Sequence, residues 1–217
     1  GRLVVGLGDR YDFRDRAQNT TDHVGKVVRI DTDGAAPPDN PFVTESGAAP
    51  ELWSLGHRNV QGAALHPDTG EVWTHEHGPQ GGDEVNIARA GLNYGWPSVS
   101  YGCEYGAPVG RCDPVGGASE GPGFESPLTW WVPESIAPSG MAFYSGAMFP
   151  QWQGSLFIGA LADESLWRLT LSGDAVTARE RLFADVDERI RDVRVGPDGA
   201  LYLLTDSDDG RILKVSD

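Results

Sequence analysis

His66-Pro67-Asp68-Thr69-Gly70-Glu71-Val72-Trp73-Thr74 and Gly196-Pro197-Asp198-Gly199-Ala200-Leu201-Tyr202-Leu203-Leu204-Thr205 are two copies of one pattern, a Pro/Asp/Gly turn feeding a short apolar strand. Proline presets φ, aspartate closes the turn through its side chain and glycine supplies the left-handed position. Gly1-Arg2-Leu3-Val4-Val5-Gly6-Leu7-Gly8-Asp9 resembles the second half of both, and Gln153-Gly154-Ser155-Leu156-Phe157-Ile158-Gly159 is a looser fourth copy. Strand-turn-strand units that recur between irregular insertions predict radial repetition, the architecture of propeller blades. Further strands are predicted over 25–30, 51–55, 85–88, 141–144, 165–171, 190–195 and 211–215, and helical periodicity is nearly absent. The segment 98–139 is rich in Gly, Pro and Ser and too long for a passive connection, so it is expected to build over a site.

A chain of 217 residues is by default one domain with a sizeable core. Its 29 Gly and 15 Pro describe frequent turning, and all-β structure is favoured. The formal net charge of −15 argues against nucleic acid or an anionic membrane as partner, since both need clustered Lys and Arg. Solubility explains the acidity, and calcium ligation is the sharper alternative. No apolar run reaches membrane-span length, and no charged-then-apolar leader opens the chain. The first residues enter directly in mid-strand, which suggests a cut through a larger domain. Cys103 and Cys112 are the only cysteines. A disulfide across a Gly/Pro-rich loop is the simplest reading, with two free thiols as the alternative, and it implies an oxidising compartment, periplasmic or extracellular.

The chemistry concentrates between Gly56 and Pro97. Gly56-His57-Arg58-Asn59, Glu76-His77-Gly78-Pro79, Gly82-Asp83-Glu84 and Asn93-Tyr94-Gly95-Trp96-Pro97 place guanidinium, imidazole, carboxylate and amide groups between glycines, a composition suited to a bound ligand and not to a core strand. With Gly25-Lys26-Val27-Val28-Arg29-Ile30, Ile136-Ala137-Pro138-Ser139-Gly140 and Arg189-Ile190-Arg191-Asp192-Val193, these motifs, in this order, resemble the soluble aldose sugar dehydrogenases that use pyrroloquinoline quinone (PQQ), also called glucose/sorbosone dehydrogenases. The resemblance runs almost end to end.

That resemblance implies a six-bladed β-propeller, of which residues 1–217 would hold about four blades, with the N-terminal blades and the base histidine falling before Gly1. It implies oxidation of the C1 hydroxyl of an aldose to a lactone, with PQQ and Ca²⁺ as cofactors, a small-molecule sugar as partner, and no activity for the fragment alone. Arg58 would stabilise charge on the reduced quinone and Asn59 would hydrogen-bond beside it; Arg189 and Arg191, two apart on a strand and so on one face, would clamp cofactor carboxylates. His77, Trp131, Ser135 and Asp206 are further cofactor-contact candidates, although read from the residues alone tryptophan is more often packing and a strand-ending aspartate a turn residue. Gly78 and Pro79 would offer carbonyls to the calcium beside the cofactor. Glu84 and Tyr94 would bind a structural calcium, Tyr94 through its main-chain or phenolic oxygen. Asp9 would orient the base histidine. The family's lysine directed at the quinone is replaced by Ala162. That departure supports an alternative reading, a calcium-stabilised propeller that binds without catalysis. A third class, a calcium-dependent lactonase, would need carboxylates converging on the propeller axis.

Overall fold

The computed structural model describes all residues from 1 to 217. Fourteen strands form four antiparallel sheets, each a meander of sequence-consecutive strands. The first sheet holds β1 (Arg2–Leu7), β2 (Lys26–Asp31) and β3 (Leu52–Leu55); the second holds β4 (Val60–Leu65), β5 (Val72–Glu76), β6 (Asp83–Ile87) and β7 (Thr129–Trp131). The third holds β8 (Pro138–Phe143), β9 (Leu156–Ala160), β10 (Ser165–Ser172) and β11 (Ala175–Leu182), and the fourth β12 (Ile190–Val195), β13 (Leu201–Thr205) and β14 (Ile212–Val215). The edge strands β4, β8 and β12 pack against one another in succession, which sets the sheets radially as four propeller blades.

The repeated turns do what their residues dictate. Between β4 and β5, Gly70 sits at φ 71° and its N–H donates to the His66 carbonyl at 2.9 Å; between β12 and β13, Gly199 sits at φ 81° and donates to Gly196 at 2.9 Å. The strands they feed, β5 and β13, are second in their blades. β1, which shares their pattern, packs against β4 as β9 packs against β12, so it too occupies a second-strand place.

Apolar faces of adjacent blades form the core. Trp73, Val85, Trp131, Met141, Leu156 and Ile158 lie between the second and third blades, and Phe157, Leu166, Val193, Leu201 and Leu203 between the third and fourth. Each such side chain, fully buried, stabilises the fold by roughly 1.5–3 kcal/mol.

The expected strands are present with boundaries moved by a few residues, but β4, β7 and β11 were not expected from the pattern. β4 reads Val-Gln-Gly-Ala-Ala-Leu, with weak strand propensity, because it lies at the crowded centre. A Cβ on Gly62 would meet His75 Nε2 at 2.3 Å and the Ser139 carbonyl at 2.7 Å, and one on Gly140 of β8 would meet Asp192 Oδ1 at 2.0 Å. β11 is the outer edge of its blade and mostly exposed, so no apolar alternation marks it.

In an antiparallel meander the start of the first strand and the end of the second lie at the same end of the blade. Residues 56–59, 132–137 and 183–189, which precede first strands, therefore share one face with residues 8–24, 77–82, 161–164 and 206–210, which follow second strands. The long connection from β6 to β7 climbs between the first two blades, through Tyr94 N–H to Leu55 O at 2.9 Å and Trp96 N–H to Gly56 O at 2.9 Å, and reaches that face where Gln80 and Cys103 exchange two 3.0 Å backbone bonds.

Candidate functional site

Two buried carboxylates organise this face. Glu76, at the end of β5, accepts His57 Nδ1 at 2.9 Å, the Arg58 N–H in a short bond, the Asn59 N–H at 3.2 Å and Asn86 Nδ2 at 3.4 Å. His57 in turn meets Ser54 Oγ at 2.8 Å through Nε2 and stacks on the Tyr94 ring at 4.6 Å. Asp83, at the start of β6 and wholly buried, accepts the Gly78 N–H at 2.9 Å on one oxygen and Ser135 Oγ at 2.6 Å and the Ala137 N–H at 2.9 Å on the other. Glu76 thus fixes the backbone of Arg58 and Asn59, and Asp83 fixes the Gly78 turn and the Ser135 loop.

Arg58 is buried, with Nη1 donating to the His77 carbonyl at 2.8 Å and Nη2 to the Tyr105 hydroxyl at 3.0 Å. Its guanidinium lies 5.4 Å from the Trp96 ring centroid, a cation–π distance. Its Nε has no partner. An unpaired buried donor is costly, and a ligand acceptor would relieve it. Asn59 keeps its side-chain N–H groups free while its oxygen accepts Gln61 Nε2 at 3.0 Å. His77 donates through Nε2 to the Pro138 carbonyl at 2.8 Å, which fixes its tautomer and leaves Nδ1 without a protein partner.

Arg58, His77, Gly78, Pro79, Glu84 and Tyr94 all line one cavity, together with Glu76 and residues of the long connection such as Tyr101, Glu120 and Glu125. The carbonyls of Gly78 and Pro79 accept no hydrogen bond. Glu84 accepts only Asn86 Nδ2, at 3.0 Å. Burial, reinforced by the neighbouring Glu76, raises its carboxyl to about 8, and no Lys or Arg pairs with either glutamate. Carboxylate and carbonyl oxygens with no basic partner are the donor set a hard cation prefers. No three His, Cys, Asp or Glu side chains converge as a metal cluster, so calcium here would depend on main-chain oxygens.

The structure corrects the expectation for the Tyr94 phenol. Its hydroxyl donates to the Ile87 carbonyl and accepts the Arg89 N–H at 2.9 Å, and burial pushes it up from the usual phenol range. Only its main-chain carbonyl stays free. Trp131 is likewise a core residue packed on Trp167, outside the cavity lining, because β7 turns it between blades. Ser135 is committed to Asp83. Asp9 is buried, accepting the Tyr11 N–H at 2.9 Å and Trp96 Nε1 at 2.8 Å.

Arg189 and Arg191 do converge, on Asp206. Arg189 Nη2 and Arg191 Nη2 reach the same carboxylate oxygen at 2.8 and 3.0 Å, and the two guanidinium groups hold that carboxyl below its usual range. The pairing register of β12 with β13 shifts between Ile190 and Asp192, around Arg191. One carboxylate against two guanidiniums leaves a net positive charge, and Arg189 Nη1 also reaches the Leu161 carbonyl at 3.3 Å, next to Ala162. Cys103 and Cys112 form a disulfide, which closes the loop carrying Glu104 and Tyr105 over the face. The fixing roles of Glu76 and Asp83 escaped the sequence reading, in which they figure only as carboxylates of a segment suited to a bound ligand; no local signal separates a ligand carboxylate from one that holds backbone.

The profile described as Glucose / Sorbosone dehydrogenase matches residues 1–214. The chain belongs to the glucose/sorbosone dehydrogenase family. It is 47% identical over 219 residues to the aldose sugar dehydrogenase YliI of Escherichia coli, covering 100% of this chain and 57% of that protein. Among solved structures, a glucose dehydrogenase shares 54% identity with a TM-score of 0.92, covering 100% of this chain and 61% of that one. The PQQ-bound form of an aldose sugar dehydrogenase from Streptomyces coelicolor shares 31% identity with a TM-score of 0.76, covering 99% and 58%. The chain therefore spans about three fifths of the length of these relatives. No helix in it is long and apolar enough to cross a membrane.

Proposed function

We propose that the protein oxidises the C1 hydroxyl of an aldose to a lactone, with PQQ as hydride acceptor and calcium beside it, and that residues 1–217 are four blades of a six-bladed propeller. The observation that carries this reading is the buried Arg58, its Nε unpartnered, on one cavity wall with the free carbonyls of Gly78 and Pro79, in a chain of this family. When bound, the quinone supplies the two-electron sink.

The chain's own residues hold and polarise. Arg58 places a fixed positive charge, Asn59 offers amide donors, His77 and Ser135 lie on the adjoining loops, and Arg189 and Arg191 offer a planar fork to a carboxylate, with Asp206 keeping the fork aligned. Gly78 and Pro79 offer oxygens to calcium. Glu84, with the Tyr94 carbonyl, would bind a second calcium that lowers the Glu84 pKa and so binds more tightly as pH rises. Asp9 retains lone pairs for one more donor beyond Tyr11 and Trp96, as a residue orienting a base histidine N-terminal to Gly1 would need. The Cys103–Cys112 disulfide supports a periplasmic or extracellular location.

The test is product analysis. The full-length protein with PQQ, Ca²⁺, an aldose and a two-electron dye acceptor should yield the lactone and reduced dye in equal amounts. No PQQ binding and no turnover of any aldose, with Ca²⁺ still raising the melting temperature, would favour a calcium-stabilised binding module instead.

A further inference from the structure

The backbone that carries Arg189 and Arg191 is held from two sides. Residues two apart on a strand lie roughly 7 Å apart along it, yet both side chains close on one Asp206 oxygen. Their convergence therefore depends on how the two peptide planes between them are turned. The first plane, Arg189–Ile190, is fixed where the Arg189 carbonyl accepts the Asp206 N–H at 2.8 Å. The second, Ile190–Arg191, is fixed where the Ile190 carbonyl accepts Ser139 Oγ at 2.5 Å. A peptide unit is planar, so one held carbonyl orients the whole unit and the Cα that follows it.

Ser139 comes from another blade. It lies on β8, the first strand of the third blade, and both it and Ile190 are buried. Its hydroxyl bond passes over Gly159 of β9, where a Cβ would stand 2.7 Å from Ser139 Oγ and 2.9 Å from the Ile190 oxygen. Glycine is what leaves room for that contact. The two residues before Ser139 face the second blade: the Pro138 carbonyl accepts His77 Nε2 at 2.8 Å, and the Ala137 N–H donates to Asp83 at 2.9 Å. Three consecutive residues thus tie the loops of the second blade to the arginine pair of the fourth.

We infer that Ser139 is a positioning residue for the arginine pair: by holding the Ile190 carbonyl it aims Arg189 and Arg191 together at the carboxylate they are proposed to clamp. The inference rests on the cofactor reading for that carboxylate and on the Asp206 contacts for the geometry of the pair.

Two readouts test it in the full-length protein. Ser139→Ala should weaken PQQ binding in saturating Ca²⁺ about fivefold, and should cost nothing further once Arg189 and Arg191 are both alanine. A general loss of stability would appear in both backgrounds. The second readout needs no cofactor. The two guanidinium groups hold the Asp206 carboxyl below its usual range, so a carbon-13 NMR titration should show that carboxyl rising toward ordinary aspartate in Ser139→Ala. Ser139→Cys fills the same space with a weaker donor; it should fall between serine and alanine in both readouts, and it carries the test where the alanine variant does not fold. An Asp206 carboxyl that titrates in the variants as in the wild type, or an equal loss of PQQ affinity with and without the arginines, would overturn the assignment. If the wild type binds no PQQ, the cofactor reading fails on its own and the Asp206 titration decides: a raised carboxyl retains Ser139 as the positioning residue, and an unchanged one removes it.

Discussion

Replacing Glu76 by alanine tests whether one carboxylate holds the site together. The side chain accepts bonds from His57 Nδ1, Arg58 N, Asn59 N and Asn86 Nδ2. Asn86 keeps Glu84 as an acceptor, so three donors lose their partner, two of them in the buried interior. An unsatisfied buried donor costs about 1–3 kcal/mol. Allowing partial water access at Asn59, the loss should be about 3–5 kcal/mol, a large share of the ~5–15 kcal/mol typical of a domain. Glu76→Gln keeps an acceptor oxygen for the two backbone N–H groups and can present its amide N–H to His57, so it should cost about 1–2 kcal/mol. Urea unfolding followed by tryptophan fluorescence gives both values. A loss below about 1 kcal/mol for Glu76→Ala, or equal losses for the two variants, would show that the backbone of 57–59 is held by something else.

Other perturbations probe the frame. His75 is buried with neither ring nitrogen bonded, and burial pushes its imidazole down to about 3. The unfolded chain therefore binds the extra proton first, so stability falls as pH drops below ~6.5, by up to about 1.4 kcal/mol per pH unit; His75→Leu should remove that component, and identical acid profiles for variant and wild type would refute it. Reducing the Cys103–Cys112 bond, which closes a small loop, should cost about 2–3 kcal/mol in the chain-entropy account, read as a lower melting temperature in dithiothreitol; an unchanged melting point would contradict it. Gly62→Ala forces a Cβ to 2.3 Å from His75 Nε2 and should cost at least ~1–3 kcal/mol by overpacking, with a neutral result showing that the central strands can part.

Much of the blade pattern was legible because turns carry local chemistry. The Pro-Asp-Gly and Pro-Asp-Thr-Gly turns set φ and side-chain closure within four residues, so they announce the second strands wherever they recur. The first strands were harder, since β4 lies where neighbouring blades crowd the axis and Gly62 and the alanines beside it answer that crowding, not strand propensity. In the site, motif order brought Arg58, His77, Gly78, Pro79, Glu84 and Tyr94 to one cavity. The sequence could not say which polar atoms were already spent. The Tyr94 hydroxyl is used by Ile87 and Arg89 within its own turn, whereas Ser135 is used by Asp83 and Arg189 and Arg191 share Asp206, long-range contacts that only the fold creates.

PQQ binding at this face is the property from which every proposed residue role follows. Titrating the protein with PQQ in saturating Ca²⁺, followed by the cofactor's absorbance, should give one-to-one binding that weakens by at least about a hundredfold in Arg58→Ala and about tenfold or more in Arg191→Ala, as expected for lost charge-assisted bonds. Binding that is absent in the wild type, or unchanged in both variants, would contradict the assignment of this cavity as the cofactor site.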